Sequence, residues 1–450
     1  MSKPTTKFTK SEAGRKPLRT VRIGLVGLGT VGTGTVKDLL AHQQEIQRRL
    51  DCKLELKTVC ALGITQQDVA WVGPHVKATE DWHDVTGDPE IDIVVELVGV
   101  LSVARPLAFA AIGAGKHFVT ANKQLIAEHG VELAERARAA QVNMGIEACV
   151  AGGTPLLHAI REGLAAEQFD GVYGILNGTT NYILTEMERR GCRFAEVLAE
   201  AQQKGYAEPD PTFDVQGYDA RYKIAILAML CFGQAVRVDD IPAQGITAID
   251  QVDFAYARRL NHTIRLIASV RRRDGGRLEI FVRPMMIPAS SQLAKVLGSL
   301  NGILLMGDKG GNFTFTGRGA GGDPTGIAVL SDIIGIARGM AGEAVSSPLG
   351  YETWQPARIA PASDNVISAY LRLVVRDRPG ILARVCALLA RHRINIDSVL
   401  QEPGMPKNEL PFVMTLEPTR EKQVAQATAE IARLPFMACP PLMMPFAELP

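Results

Sequence analysis

The sequence predicts an α/β chain in three parts: a doubly wound parallel-sheet domain, an inserted α+β domain, and a C-terminal ferredoxin-like unit. Three observations carry this reading. From residue 21 to about 150, short apolar runs alternate with helical stretches, the rhythm of a parallel sheet with crossover helices. Between 152 and about 324 the rhythm changes, and longer helices mix with fewer strand candidates. From residue 366 the order becomes β-α-β-β-α-β, which is the ferredoxin-like pattern.

Composition excludes several function classes. Apolar residues make up 46% and charged residues 22%, so neither a disordered nor a collagen-like chain fits. Lys plus Arg number 49 against 48 Asp plus Glu, which leaves no electrostatic footprint for nucleic acid. The longest apolar run, residues 224–232, is too short to cross a membrane. Seven dispersed cysteines, with no C-x-x-C pair, suggest neither a disulfide framework nor a zinc ribbon. Residues 1–20 lack the apolar stretch of a secretory signal. The expectation is a soluble cytoplasmic protein with reduced thiols.

Residues 1–19 are polar and basic and read as a disordered tail. The dinucleotide-binding unit is placed at 20–151. It holds strands at 21–26, 54–62, 91–98, 116–120 and 142–146, and helices at 35–49, 106–113 and 123–141. A substrate or catalytic unit follows at 152–324, with helices at 154–166, 182–190, 194–204 and 219–232 and strands near 172–176 and 278–286. Pro324 opens a helix across 325–342 that returns to the first unit. The Pro- and Ser-rich stretch 343–365 reads as a linker, and 366–445 forms the last unit.

The glycine loop Gly27-Leu28-Gly29-Thr30-Val31-Gly32 follows a strand and opens a helix, the context that turns a weak motif into a dinucleotide site of Rossmann type. Its first Gly permits the tight turn and its second lets backbone approach a pyrophosphate. The third allows close helix–strand packing. After the second strand comes Cys60-Ala61-Leu62-Gly63-Ile64-Thr65. Neither the acid that suits NAD nor the Arg that suits NADP is there, so the cofactor is NADP or NAD.

Two lysines are candidates for proton chemistry. Lys223 and Asp219 stand i and i+4 at the start of an apolar helix, where a lysine beside an acid can serve as a proton donor. A surface ion pair is the alternative. Lys123 follows a strand of the parallel sheet, whose carboxyl end faces the ligand crevice, and a helix-end surface lysine is again the alternative. Glu208 lies on an acidic loop made rigid by Pro209 and Pro211. Glu147 to Thr154 offers a carboxylate followed by carbonyls on a glycine-containing turn, an oxygen set for a hard cation or simply a turn entering a helix.

Together these motifs resemble one family, homoserine dehydrogenase. The matching stretches include Val94-Val95-Glu96-Leu97, Val119-Thr120-Ala121-Asn122-Lys123, Asn177-Gly178-Thr179-Thr180-Asn181-Tyr182, Gly205-Tyr206-Ala207-Glu208-Pro209-Asp210-Pro211, Gly217-Tyr218-Asp219-Ala220-Arg221-Tyr222-Lys223 and Gly319-Ala320-Gly321-Gly322-Asp323-Pro324-Thr325. The resemblance implies interconversion of L-aspartate 4-semialdehyde and L-homoserine with NAD(H) or NADP(H), and a catalytic and dimerising role for the middle unit. It implies Lys223 as proton donor and acceptor and Lys123 as second active-site lysine. Glu208, Asp219, Asn177, Gly178 and Thr179 would hold the amino acid. Gly27 to Gly32, Lys123 and Gly321 would meet the cofactor. Glu147, Val150, Gly152 and Thr154 would hold a monovalent cation, Na⁺ or K⁺, mostly through carbonyls. Two positions depart from the family pattern: Val100 stands where a glycine is usual and Thr154 where an aliphatic residue is usual.

The last unit resembles an ACT domain through Arg376-Asp377-Arg378-Pro379-Gly380 at a strand–helix junction. That implies side-by-side pairing, hence a homodimer or homotetramer, and L-threonine as an inhibitory effector near Asp377 and Asn395. Two other readings compete. A 2-hydroxyacid dehydrogenase would need a His–carboxylate pair in the cleft, and none is evident among the eight histidines. A non-catalytic sensor would have no need of a proton donor.

Overall fold

The computed structural model describes residues 19–50, 52–340 and 347–449. The expected tail therefore lies outside the described residues, apart from Arg19, as do residues 343–346 of the expected linker.

Six strands form the first sheet: β1 (Arg19–Val26), β2 (Cys52–Cys60), β3 (Lys77–Thr79), β4 (Ile93–Glu96), β5 (His117–Thr120) and β6 (Met144–Gly145). Their order is β3-β2-β1-β4-β5-β6, and every pairing is parallel. Parallel strands are covered on both faces, which is why β4 reads as a continuous apolar run ending in one acid. The order reverses between β1 and β4, and at such a switch point the strand ends open a ligand crevice.

The helix expected at 35–49 begins earlier and breaks once, as Thr30–Ala41 and Gln43–Arg49. Its early glycines are inside the helix because neighbours approach them. A Cβ on Gly34 would lie 2.7 Å from the Gly322 backbone. The partner is the helix Gly322–Gly339, which packs along Thr30–Ala41 as the returning helix of the sequence reading.

The second sheet has five strands, all antiparallel, in the order Leu278–Pro288, His262–Arg272, Phe169–Ile175, Leu300–Gly307, Asn312–Arg318. Three of these, and the helix Gln251–Arg259, are absent from the sequence reading. The helix expected at 154–166 shrinks to one turn, Leu156–His158, followed by a π-helical turn over Ala159–Gly163. The apolar helix Tyr218–Phe232 is buried along nearly its whole length, which explains its lack of a polar face. The supposed linker is not a free tether. Leu349 is buried, Gln355–Pro356 pairs with Gln234–Ala235, and the Leu278 N–H donates to the Arg358 carbonyl at 2.8 Å.

The C-terminal unit has the expected order, with strands Val366–Val375, Ile396–Gln401, Leu410–Arg420 and Leu442–Pro445 and helices Ile381–Arg391 and Glu421–Ile431. It docks on the helix Gln251–Arg259. Asp253, fully buried, accepts hydrogen bonds from the Tyr370 hydroxyl at 2.6 Å and the Arg372 guanidinium at 2.5 Å. Among the described residues no helix is long and apolar enough to cross a membrane.

Candidate active site

The nucleotide cleft is built by three glycines with three different surroundings. Gly27 has φ +106°, and a Cβ there would lie 2.6 Å from the Leu97 backbone. A Cβ on Gly32 would meet the Gly27 carbonyl oxygen at 2.1 Å, so this residue lets helix and strand touch. Gly29 faces open space within 4 Å and caps the helix that starts at Thr30. That is the division of labour a pyrophosphate loop requires. Leu28 completes the turn, and Thr30 and Val31 are the first residues of the helix. Across a cleft of about 500 Å³ stands Gly321, with φ +122°, at the N-terminus of the helix Gly322–Gly339. Two helix N-termini thus border one space, whose wall also carries Lys37, Arg318 and Asp323.

The pair of glycines makes a direct test. Gly32→Ala is expected to lower stability by about 1–3 kcal/mol, because its Cβ would collide with backbone. Gly29→Ala is expected to keep the wild-type melting curve and lose cofactor affinity. Thermal melts with cofactor titration check both.

At the end of β2, where a ribose hydroxyl would be read, Leu62 is exposed and the Gly63 N–H donates to the Glu80 carboxylate at 2.6 Å. A carboxylate from just past β3 thus lies beside the end of β2, a relation that sequence spacing does not reveal.

The two lysines meet at one carboxylate. The Lys223 ammonium lies 2.7 Å from Asp219 Oδ2 and also donates to the Leu176 carbonyl at 2.8 Å. The Lys123 ammonium, one residue past the Asn122 cap of its helix, lies 3.2 Å from Asp219 Oδ1 and above the Phe213 ring. Asn177 donates to Asp219 Oδ2 at 2.9 Å and to Asp214 Oδ1 at 2.7 Å while capping the helix Gly178–Arg190 through Thr180 N–H. Burial would raise the Asp219 pKa, but the two lysines hold it far below the usual carboxylate range. Burial likewise works to lower the Lys123 pKa, and Asp219 pulls it above the ordinary value. Asp214, missing from the sequence reading, is pushed up by burial and by the Asp219 charge. A surface ion pair is therefore the wrong description of Lys223 and Asp219, since both are buried.

Not every expected residue joins this cluster. Gly178 opens the helix against the Ser299 carbonyl, and the Thr179 hydroxyl ties that helix to the Tyr206 carbonyl at 2.7 Å. Glu208, on the loop so tethered, is exposed, and Gln202 donates to its carbonyl rather than to its side chain. The expected loop also ends earlier, in the helical turn Thr212–Val215.

The turn from Glu147 to Thr154 is buried at Glu147, Val150, Gly152 and Thr154. Both Glu147 carboxylate oxygens are engaged, accepting from the Leu157 N–H at 3.0 Å and the His158 N–H at 2.7 Å. The carboxylate is thus a helix cap rather than a free ligand. Among the described residues no group of three His, Cys, Asp or Glu is placed to hold a metal ion. What fits a cation here is neutral oxygen: Ala151 turns the chain at φ +52°, and the buried Thr154 hydroxyl has no hydrogen-bond partner among the described residues. Behind this turn His158 donates to Asp332 at 3.0 Å, which pushes its pKa up to about 9, and its other ring nitrogen meets Glu162. It is a His–carboxylate pair, as are His83 with Asp81 and His392 with Glu430. Both His158 nitrogens are spent on carboxylates.

In the C-terminal unit Asp377 and Gly380 border a cleft of about 290 Å³ with Gln401 and Phe412. Asn395 is not part of its wall and donates to Glu417 at 3.1 Å.

Comparison with known proteins agrees with this architecture. Residues 155–334 match the homoserine dehydrogenase family model, 27–147 its NAD-binding domain and 369–436 the ACT domain. The homoserine dehydrogenase of Neisseria gonorrhoeae is 38% identical over 96% of this chain and all of its own length. That of Synechocystis sp. is 40% identical over 92% of this chain and 96% of its own. The crystal structure of a homoserine dehydrogenase from Thiobacillus denitrificans superposes with a TM-score of 0.88 at 36% identity, covering 96% of this chain and 99% of that one. With its glycine loop, its lysine pair and these relatives in agreement, the chain belongs to the homoserine dehydrogenase family of NAD(P)-dependent oxidoreductases acting on a CH–OH group.

Proposed function

We infer that the chain interconverts L-aspartate 4-semialdehyde and L-homoserine. The observation that carries this reading is the Asp219 carboxylate shared by Lys223 and Lys123 beside the carboxyl end of a parallel sheet. When bound, the nicotinamide supplies or accepts the hydride. The protein supplies the rest. The Lys223 ammonium holds the developing alkoxide and gives it a proton, and in the oxidative direction the neutral amine takes that proton back. Lys123 stabilises the same oxyanion and balances Asp219, so that Lys223 is not locked to its carboxylate. Asp219, Asn177, Gly178, Thr179 and Glu208 hold the amino acid. Gly27 to Gly32 and Gly321 hold the phosphates. The carbonyls of Glu147, Val150, Gly152 and Thr154 hold Na⁺ or K⁺, which would brace the turn from which the substrate unit departs.

Residues 20–151 serve the cofactor, 152–324 the substrate, 325–342 the return to the nucleotide layer and 366–445 regulation. L-Threonine is the effector proposed for the Asp377 cleft, in a cytoplasmic homodimer or homotetramer. The Glu80 carboxylate, which reaches from the end of β3 to Gly63 past the end of β2, works against a 2′-phosphate, so NAD is expected to be the faster cofactor.

The test follows the absorbance of reduced nicotinamide as L-homoserine is offered with NAD or NADP in parallel, with and without L-threonine. Turnover with NAD ahead of NADP is expected. Threonine should slow it. No reduction by folded protein supplied with K⁺ or Na⁺ would reject the enzyme and leave a sensor.

A further inference from the structure

Glu96 ends β4 with its side chain fully buried, and no ion pair is formed with it among the described residues. A lone buried carboxylate is costly, and an apolar residue would fill the space more cheaply. Its hydrogen bonds show what the carboxylate does there. One oxygen accepts from the Val98 N–H at 2.8 Å, with Gly99 N–H at 3.4 Å, and so fixes the backbone against which Gly27 turns. The other accepts from the Thr120 hydroxyl at 2.6 Å, on the residue paired with it across β5.

The relay continues from Thr120. Its hydroxyl oxygen accepts from the Asn122 N–H at 2.9 Å, and the Asn122 side chain accepts from the Leu125 N–H at 3.1 Å. That last bond caps the helix whose first residue is Lys123. We propose that Glu96 is a positioning residue that sets the Lys123 ammonium against Asp219 and holds it in register with the cofactor loop.

The inference rests on the reading of Lys123 as an active-site lysine. Chemistry at the carboxylate makes it specific to Glu. Both oxygens must accept, from amide N–H groups on one side and a hydroxyl on the other. A glutamine has one acceptor end. If its amide NH₂ faces Thr120, the hydroxyl proton loses its acceptor. If it faces Val98, two donors oppose each other. Burial raises the Glu96 pKa, and the same hydrogen bonds oppose that rise.

A double-mutant cycle tests this on kcat/KM for L-homoserine with Glu96→Gln, Lys123→Ala and both. Glu96→Gln is expected to lower kcat/KM by about 10–100-fold, since a misplaced reacting group costs on that order. The dissociation constant of the reduced cofactor, read from its fluorescence, should rise by less than the fold-loss in kcat/KM, since Gly27 keeps its own N–H bond to the Cys60 carbonyl at 2.8 Å. In the Lys123→Ala background the Glu96 change should add almost nothing, because residues acting as a unit are not additive. Fully additive losses would show a merely structural role and overturn the proposal, as would an unchanged kcat/KM in Glu96→Gln. A Lys123→Ala enzyme with normal turnover would instead remove the reading of Lys123 on which the proposal stands. Should Glu96→Gln fail to fold, Thr120→Val breaks the relay at its next member, and Thr120→Ser, which keeps the hydroxyl, is expected to restore activity.

Discussion

Replacing Lys223 by alanine is expected to lower kcat by about 10²–10⁴-fold while the cofactor still binds. The ammonium is held at two points, 2.7 Å from Asp219 and 2.8 Å from the Leu176 carbonyl, so its position does not depend on the substrate. Alanine removes the proton donor and leaves the Leu176 carbonyl without that donor. Asp219 keeps Lys123 and Asn177, so the site should not collapse. Lys223→Arg would keep the charge but not a transferable proton near neutral pH, and is expected to remain far below wild type. Steady-state rates beside a cofactor titration check this. A kcat within about threefold of wild type in Lys223→Ala would remove the proton donor from the proposed mechanism.

The largest effect on stability is expected at Arg372→Leu, a loss of about 3–5 kcal/mol. Arg372 is the cation facing Asp253, which is fully buried in the seam between the helix Gln251–Arg259 and the C-terminal sheet. Asp253 also closes the helix's capping box, accepting from the Asp250 N–H at 2.8 Å, so it cannot turn away to water. Without the guanidinium an unpaired charge stays buried, and the Ala248 carbonyl loses the Arg372 donor. Replacing both partners, as in Asp253→Ala with Arg372→Leu, should restore part of the loss because no charge is orphaned. Denaturant unfolding followed by tryptophan fluorescence measures it. Equal losses in the single and double variants would argue against charge burial as the cause.

Features written in local chemistry were legible in the sequence. The glycine loop, the β-α-β-β-α-β order and the i,i+4 spacing of Asp219 and Lys223 all depend on neighbours in the chain. The helix starting at Thr30 was misplaced because glycines at 32 and 34 lower helix propensity. They are retained because Gly27 and Gly322 come too close for a side chain. The strand His262–Arg272 was missed for the opposite reason. It buries Arg265, which pairs with Glu188 at 2.9 Å, and so interrupts its own apolar pattern. Within the site, the sequence marks Lys123 and Lys223, but their meeting at one carboxylate depends on the fold. Asp214, Glu80 and Glu96 act through partners between 17 and 37 positions away, and no spacing rule reaches that far.

The packing of Gly322–Gly339 along Thr30–Ala41 has a consequence for how the molecule is made. The nucleotide-binding layer is discontinuous, and its last helix leaves the ribosome roughly 290 residues after its first. Until then Val36 and Leu39, buried in the finished protein, lack the Val329 and Ile333 side of their core. The chain must keep this half-built surface from misassembly through synthesis of the whole second sheet, and such long-range closure is slow. Closing the nucleotide layer with a returning helix thus leaves the six-stranded sheet's own core unfinished until the antiparallel sheet has been synthesised.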